Sequence, residues 1–198
     1  DVMDAKGLPI VPTDVKAFGS GIQRWTTGIT NTFTYKDVTL SAQVDGKFGG
    51  LIYSNTNYNL EHRGMSYRSL LGRENGVILP GVNEAGEENK VLVTAAQVNN
   101  RDIIVRRRDA LDDYLYNASF IKLRYVSLTY NLPRSLYEKI GFIKGASVSA
   151  VGRNLAILLK HTPGIDPETN LSAGNDQGIE STQLPPTRSI GFNVNLKF

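Results

Sequence analysis

Hydrophobic and polar residues alternate without interruption from Thr187 to the end of the chain. Ile190, Phe192, Val194, Leu196 and Phe198 share one parity, and Ser189, Gly191, Asn193, Asn195 and Lys197 share the other. A strand sends successive side chains to opposite faces, so Thr187–Phe198 predicts a strand with one apolar and one polar face. Val38–Phe48 alternates in the same way, with Val38, Leu40, Ala42 and Val44 set against Thr39, Ser41, Gln43 and Asp45. Trp25–Tyr35 sets Trp25, Ile29, Phe33 and Tyr35 against a row of threonines and Gly28, and only Thr27 and Asn31 blur its apolar side. Lys36 and Asp37 alone separate these two strands, a connection of the length that joins antiparallel neighbours. Two further strands are expected at Ala118–Asn131 and Gly145–Ala156. In the first, the apolar parity switches from Ile121, Leu123 and Tyr125 to Val126, Leu128 and Tyr130. Either a bulge near Tyr125 or burial of both faces accounts for the switch. Leu132–Lys144 reads as one short helix, with Pro133 near its start, Leu136 and Ile140 on one face and Gly141 as terminator.

The length of the strands separates a membrane setting from a soluble one. Trp25 and Tyr35 stand ten positions apart, as do Phe120 and Tyr130. Ten steps of ~3.3 Å, tilted by about 40°, climb roughly 25 Å, the height of the apolar band of a transmembrane barrel between its aromatic girdles. Soluble strands average about half that length. An aromatic final residue on an alternating strand fits a bacterial outer-membrane barrel, although a soluble sandwich also ends on an edge strand. The connections alternate as well. Long polar stretches at 1–24, Gly49–Asn117 and Ile157–Pro186 fall on one side and short turns on the other, matching long extracellular loops and short periplasmic turns. Five strands do not close a barrel. The smallest membrane barrels have about eight, and open edges in lipid leave each unpaired backbone group at a cost of several kcal/mol. On the membrane reading this chain is the end of a larger one, and an edge strand should pair with strands outside it.

Composition narrows the class further. The chain has 198 residues, of which 40% are hydrophobic and 21% charged, which excludes a disordered chain and a helical membrane protein. The longest apolar run, Leu155–Leu159, is far short of the ~20 residues of a spanning helix. No apolar signal segment follows Asp1, so either a signal was removed with more upstream sequence or the protein is cytosolic, and the lack of an initiator Met points to a fragment or processed product. There is no cysteine and hence no disulfide. The net charge of +3 is small. The basic run Arg106, Arg107 and Arg108 is neutralised by Asp102, Asp109, Asp112 and Asp113, which argues against a nucleic-acid partner.

Several blocks, taken in order, resemble the SusC/RagA class of TonB-dependent outer-membrane transporters. They are Asn31–Lys36, Asp45–Gly50, the block Asn117–Pro133, the quartet Gly152-Arg153-Asn154-Leu155, the turn Gly164-Ile165-Asp166-Pro167-Glu168, and the ending Pro186–Phe198. They span the chain from about Trp25 onward, with Gly64–Leu115 the least similar part. The resemblance implies an all-β fold: the last five antiparallel strands of a barrel of about 22 strands, with the plug and earlier strands upstream of residue 1. It implies TonB-driven import of oligosaccharides or peptides from the surface of a Gram-negative bacterium. The implied partners are the remaining barrel and plug, TonB acting through the upstream part, outer-membrane lipid and a SusD-like surface lipoprotein that caps the barrel. It implies no enzymatic activity and no cofactor. A passive porin or autotransporter barrel shares the terminal strand, and a soluble all-β glycan-binding module shares the alternation; both stay open on the residues alone.

The candidate site residues follow from position and chemistry. Lys122 and Arg124 share a parity and are expected to face the lumen, pairing with carboxylates of the plug or of a neighbouring strand. Tyr53, Tyr58 and Tyr67 in the long loop are placed either to stack on sugar rings or to bury the loop on itself. Phe192, Val194, Leu196 and Phe198 resemble the assembly signal of this barrel class. His62 and His161 lie in different loops without metal-ligand spacing, so no metal or catalytic centre is assigned. Asp166, Glu168 and Asn170, with Asn175 and Asp176 nearby, are spaced like the alternate oxygens of a calcium loop. Leu171 stands where such a loop requires Gly, so Asp166-Pro167-Glu168 reads instead as a rigid turn.

Overall fold

The computed structural model describes residues 1–198 apart from positions 12, 108, 109, 173 and 175 and the side chain of Ile140. Five long strands form one antiparallel sheet: β1 (Trp25–Tyr35), β2 (Val38–Phe48), β3 (Phe120–Asn131), β4 (Gly145–Lys160) and β5 (Ser189–Lys197). Each strand pairs with its neighbours in the chain, so the sheet is an up-and-down meander with β1 and β5 at its edges. The β1–β2 hairpin runs in unbroken register from Trp25 opposite Phe48 to Tyr35 opposite Val38. Lys36 adopts a left-handed φ of 52° in its tight turn.

The alternation expected for β1 and β2 matches the observed bounds, and the other three strands differ at their ends. β3 begins two residues later than expected, because Ala118 and Ser119 are drawn into the loop layer. There the Gly49 amide donates to the Ser119 Oγ at 2.9 Å, and Ala118 is fully buried. β4 continues past Ala156 to Lys160, carried through two irregularities of register against β3. β5 is shorter than expected by two residues at its start and one at its end. The single helix expected in Leu132–Lys144 is replaced by two 3-10 turns, Arg134–Leu136 and Glu138–Ile140. Neither turn has a side-chain cap, and Tyr137 between them sits at φ −125°, which interrupts helical geometry before a nucleus forms.

The parity switch in β3 is a bulge. Tyr125 lies opposite Gln43 while Leu123 lies opposite Val44, leaving Arg124 as the extra residue. One face of the sheet therefore collects Leu123 and Ile121 together with Val126, Leu128 and Tyr130. Their cross-strand partners on that face include Leu40, Ala42 and Val44 of β2 and Val148 and Ala150 of β4. In β5, Ile190, Phe192, Val194 and Leu196 extend the same row, opposite Gly152, Ala150, Val148 and Ala146. This apolar face is uncovered: Trp25 is 74% exposed and Phe192 77%. Full burial of a large apolar side chain is worth about 1.5–3 kcal/mol, so a contiguous uncovered row of this kind calls for an apolar surround. The bulge also overturns one expectation. Phe120 does not share a face with Tyr130 as a girdle partner: it lies on the polar side, opposite Lys47, and is wholly buried.

The segments at 1–24, 49–119 and 161–188 leave the sheet at one end, and the turns at 36–37 and 132–144 lie at the other. Consecutive Gly49 and Gly50, at φ 80° and 77°, turn the chain sharply out of β2, a conformation that disfavours any side chain. The buried clusters lie in the loop layer. Leu8, Val93 and Val98 pack with Val77 and Ile103, while Ile52, Ala118 and Ile165 pack with Tyr116. The N-terminal segment joins this layer through parallel pairing of Val2–Met3 with Val82–Asn83. Among the described residues, no helix is long and apolar enough to cross a membrane.

Candidate functional site

The polar face of the sheet carries a charged cluster at its loop end, assembled by β2, β3 and the loop after β4. Lys122 is 3% exposed, and its Nζ donates to both Asp166 carboxylate oxygens at 2.7 and 2.8 Å and to Glu168 Oε2 at 2.9 Å. The ammonium also lies 5.1 Å from the centre of the Phe120 ring. The Arg124 Nε donates to Asp45 Oδ2 at 2.8 Å, and its Nη2 donates to Glu168. A third cation, Lys47, approaches Glu168 at 3.9 Å. The bulge gives Arg124 its place: as the residue without a cross-strand partner, it reaches Asp45 on β2 and the loop carboxylate together. Burial alone pushes the Glu168 carboxyl up, but its hydrogen bonds to Arg124 and Lys122 outweigh this and hold it at about 2.

Lys122 and Arg124 thus meet carboxylates of a neighbouring strand and of this chain's own loop. The turn Asp166-Pro167-Glu168 presents both of its carboxylates to these cations, with the Glu168 amide donating to Asp166 Oδ1 at 2.9 Å. Asn170 Oδ1 accepts instead from the Gly178 amide at 3.0 Å. Of the other oxygens considered for calcium, Asn175 lies outside the described residues, as do Arg108 and Asp109 of the mixed charge run.

The two long loops interlock above this cluster. Ile179–Glu180 pairs in parallel with Tyr53 and Ser54, and the strand Leu51–Ser54 pairs antiparallel with Leu115–Asn117. Glu180, 2% exposed, sits at the N-terminus of helix α1 (Asn55–His62), where Ser54 Oγ donates to it at 2.8 Å and Thr56 Oγ1 also donates. A carboxylate in that position satisfies free helix-end donors and complements the helix dipole. Gly178 makes the approach feasible: a Cβ there would stand 2.5 Å from the Gly21 Cα and 2.8 Å from the Leu51 carbonyl oxygen.

The three tyrosines do not form a common platform. Tyr58 stacks on His62 at 5.7 Å and meets Tyr114 edge-on at 5.4 Å, inside the loop layer. Tyr53 is half-buried on its short strand, where burial raises its hydroxyl pKa. Tyr67 stands apart on the 3-10 turn Tyr67–Leu70 and is 89% exposed. At the other end of the sheet Phe192, Val194 and Leu196 line the exposed apolar face, and Phe198 follows β5 with its ring stacked on Phe142 at 5.9 Å. The sequence reading missed Asp45, Glu180 and the part played by the N-terminal segment. The parity break at Arg124 was the one signal pointing towards the charged cluster; nothing local marks Glu180, whose partners lie far away in the chain.

The site therefore sits where an antiparallel meander with one uncovered apolar face and one polar face meets its interlocked loops. No family model matches the chain. Two proteins of Formosa agariphila do: TonB-dependent receptor P3 is 27% identical over 99% of the chain, and TonB-dependent receptor P39 is 24% identical over 93%. The chain spans 18% and 17% of their lengths. Among solved structures, the RagAB peptide importer in its closed-closed state matches 99% of the chain and 20% of its own, with a TM-score of 0.64 and 25% identity. A second structure, of the RagAB peptide transporter, matches 90% of the chain and 18% of its own, with a TM-score of 0.59 and 25% identity. Over nearly its whole length the chain is thus similar to TonB-dependent receptors and to the RagAB structures, and it fits a C-terminal fragment of such a receptor.

Proposed function

We propose that this chain forms the last five wall strands, and two of the surface loops, of an outer-membrane barrel of about 22 strands in a Gram-negative bacterium. The barrel imports oligosaccharides or peptides with energy delivered through TonB, and a SusD-like lipoprotein closes over the loop end. It is a transporter and carries out no chemistry on its cargo. The observation that carries the reading is the distribution of side chains across the sheet: an apolar face for lipid, a polar face for an aqueous lumen, and both long loops at one end. The relatives' names as TonB-dependent receptors and the likeness to a peptide importer support it.

The test shortens the loops 50–117 and 157–186 separately in the full-length receptor and measures lid binding and import, with folded barrel in the outer membrane as control. Loss of lid binding or import from at least one correctly assembled variant is expected. Intact binding and import in both variants would make the loops spacers and place recognition elsewhere in the receptor.

A further inference from the structure

The loop layer holds a cavity of about 220 Å³ whose charge is strongly one-sided. Arg63, Arg68, Arg73, Arg101 and Arg107 line it, and Glu61 is the sole carboxylate among the lining residues. Glu61 is already shared, with Arg68 at 3.5 Å and Arg107 at 3.7 Å, and Asp113 takes a second contact from each of these two arginines. Arg63, Arg73 and Arg101 have no carboxylate within ion-pair distance among the described residues. Backbone carbonyls orient two of them. The Arg73 Nε donates to the Ser69 carbonyl at 2.7 Å, with Nη2 directed to the Gly64 carbonyl, and the Arg101 Nη2 donates to the His62 carbonyl. Such contacts fix a guanidinium without neutralising it; Arg73 also gives its Nη2 to the Ser69 Oγ at 3.3 Å, so Arg63 and Arg101 are the two that keep donors to take an oxyanion in a planar fork.

The rest of the wall narrows the ligand. It is aliphatic, made by Leu71, Leu79, Val98, Ile103 and Ile104, and no aromatic ring lines the cavity. Sugar rings are held by aromatic faces and dense hydrogen bonding; an aliphatic wall beside free guanidiniums suits a branched side chain next to a carboxylate. The volume is below that of ordinary ligand pockets, roughly 300 Å³ upward, so it takes an end group and not a whole ligand. We propose that this cavity binds the C-terminal carboxylate of a peptide together with its aliphatic last side chain. The proposal rests on the import reading in making peptide the cargo, but binding itself needs neither TonB nor an energised membrane.

The experiment titrates purified full-length receptor in detergent with a labelled Ala-Ala-Leu tripeptide, as the free acid and as the C-terminal amide. A uronic-acid trisaccharide is titrated in parallel. The acid is expected to bind at least about tenfold tighter than the amide, since a hydrogen-bonded charge of this kind is worth roughly 1.5–3 kcal/mol. In Arg63→Gln/Arg101→Gln that preference should collapse to near unity. Arg63 is exposed at the end of α1, so Arg63→Gln alone tests the charge at a position that leaves folding intact, and it should lower the preference partially. Equal binding of acid and amide by the wild type, an unchanged preference in the double variant, or tighter binding of the uronic-acid probe would each overturn the proposal. Failed import alongside an acid preference that the double variant abolishes would count against the transport reading and leave the site standing.

Discussion

Arg124 has two structural roles: it is the extra residue of a bulge and the link between two carboxylates. Its neighbour Lys122 is almost fully enclosed, and removing one partner from a buried ionic group costs about 3–5 kcal/mol. Lys122→Ala should therefore lower the heat resistance of the folded barrel, read as its mobility shift on gels, whereas Lys122→Arg should largely preserve it by keeping a cation against Asp166 and Glu168. The loop attachment should also respond to acid. Folding lowers the Glu168 pKa from 4.5 to about 2, so its contribution is fully present above the unfolded value and is lost as pH falls from about 4.5 towards 2. Protection from hydrogen exchange across residues 164–170, taken relative to the intrinsic rate at each pH, should fall over that window. In Glu168→Gln the fall should be much reduced, and an identical pH profile in the variant would remove Glu168 from the account.

At the scale of elements, the bulge lets Leu123 and Ile121 share the apolar face with Val126, Leu128 and Tyr130. Deleting Arg124 would remove the extra residue, restore simple alternation and leave Phe120 and Lys122 on the polar side, because the pairs Tyr125–Gln43 and Leu123–Val44 are kept. That deletion, like Arg124→Gln, should leave a folded barrel with a loosened loop; loss of folded protein from outer-membrane fractions in either variant would contradict this. The same feature marks the limit of what alternation reveals. β1, β2 and β5 were legible because their alternation keeps one register from end to end, blurred only by Thr27 and Asn31 in β1. Phe120 was misplaced because counting by twos holds only while no residue is inserted. The segment 132–144 misled for a related reason: Pro133 and Gly141 resemble helix ends, yet the residues between them are too few and too poorly capped to nucleate a helix. The two-loop cluster was hidden because its partners are far apart in the chain and a short strand pair has no periodicity to read.

For the whole molecule, the proposed barrel would meet the uncovered apolar face with lipid and the two open edges with neighbouring strands. Phe198 sits where β5 ends, at the turn side of the sheet and against Phe142. In the full-length receptor, Phe198→Ala and truncation of Phe198 should reduce folded barrel in the outer membrane while synthesis continues, and Phe198→Tyr should do so least. Full, equal levels in all three would show that the aromatic end is dispensable.

The pairing of Ile179–Glu180 with Tyr53–Ser54 also imposes a timetable. Ser54 and Glu180 are 126 positions apart, so the hairpin of β1 and β2 can close early while the loop layer waits for the last quarter of the chain to arrive. Until then, helix α1 lacks the carboxylate at its N-terminus and the strand Leu51–Ser54 keeps one open edge. A receptor caught during insertion should be cut by protease within residues 50–117 and become resistant there only once residues 179–180 have docked. Glu180→Ala should prolong that vulnerable interval without slowing the closure of the β1–β2 hairpin.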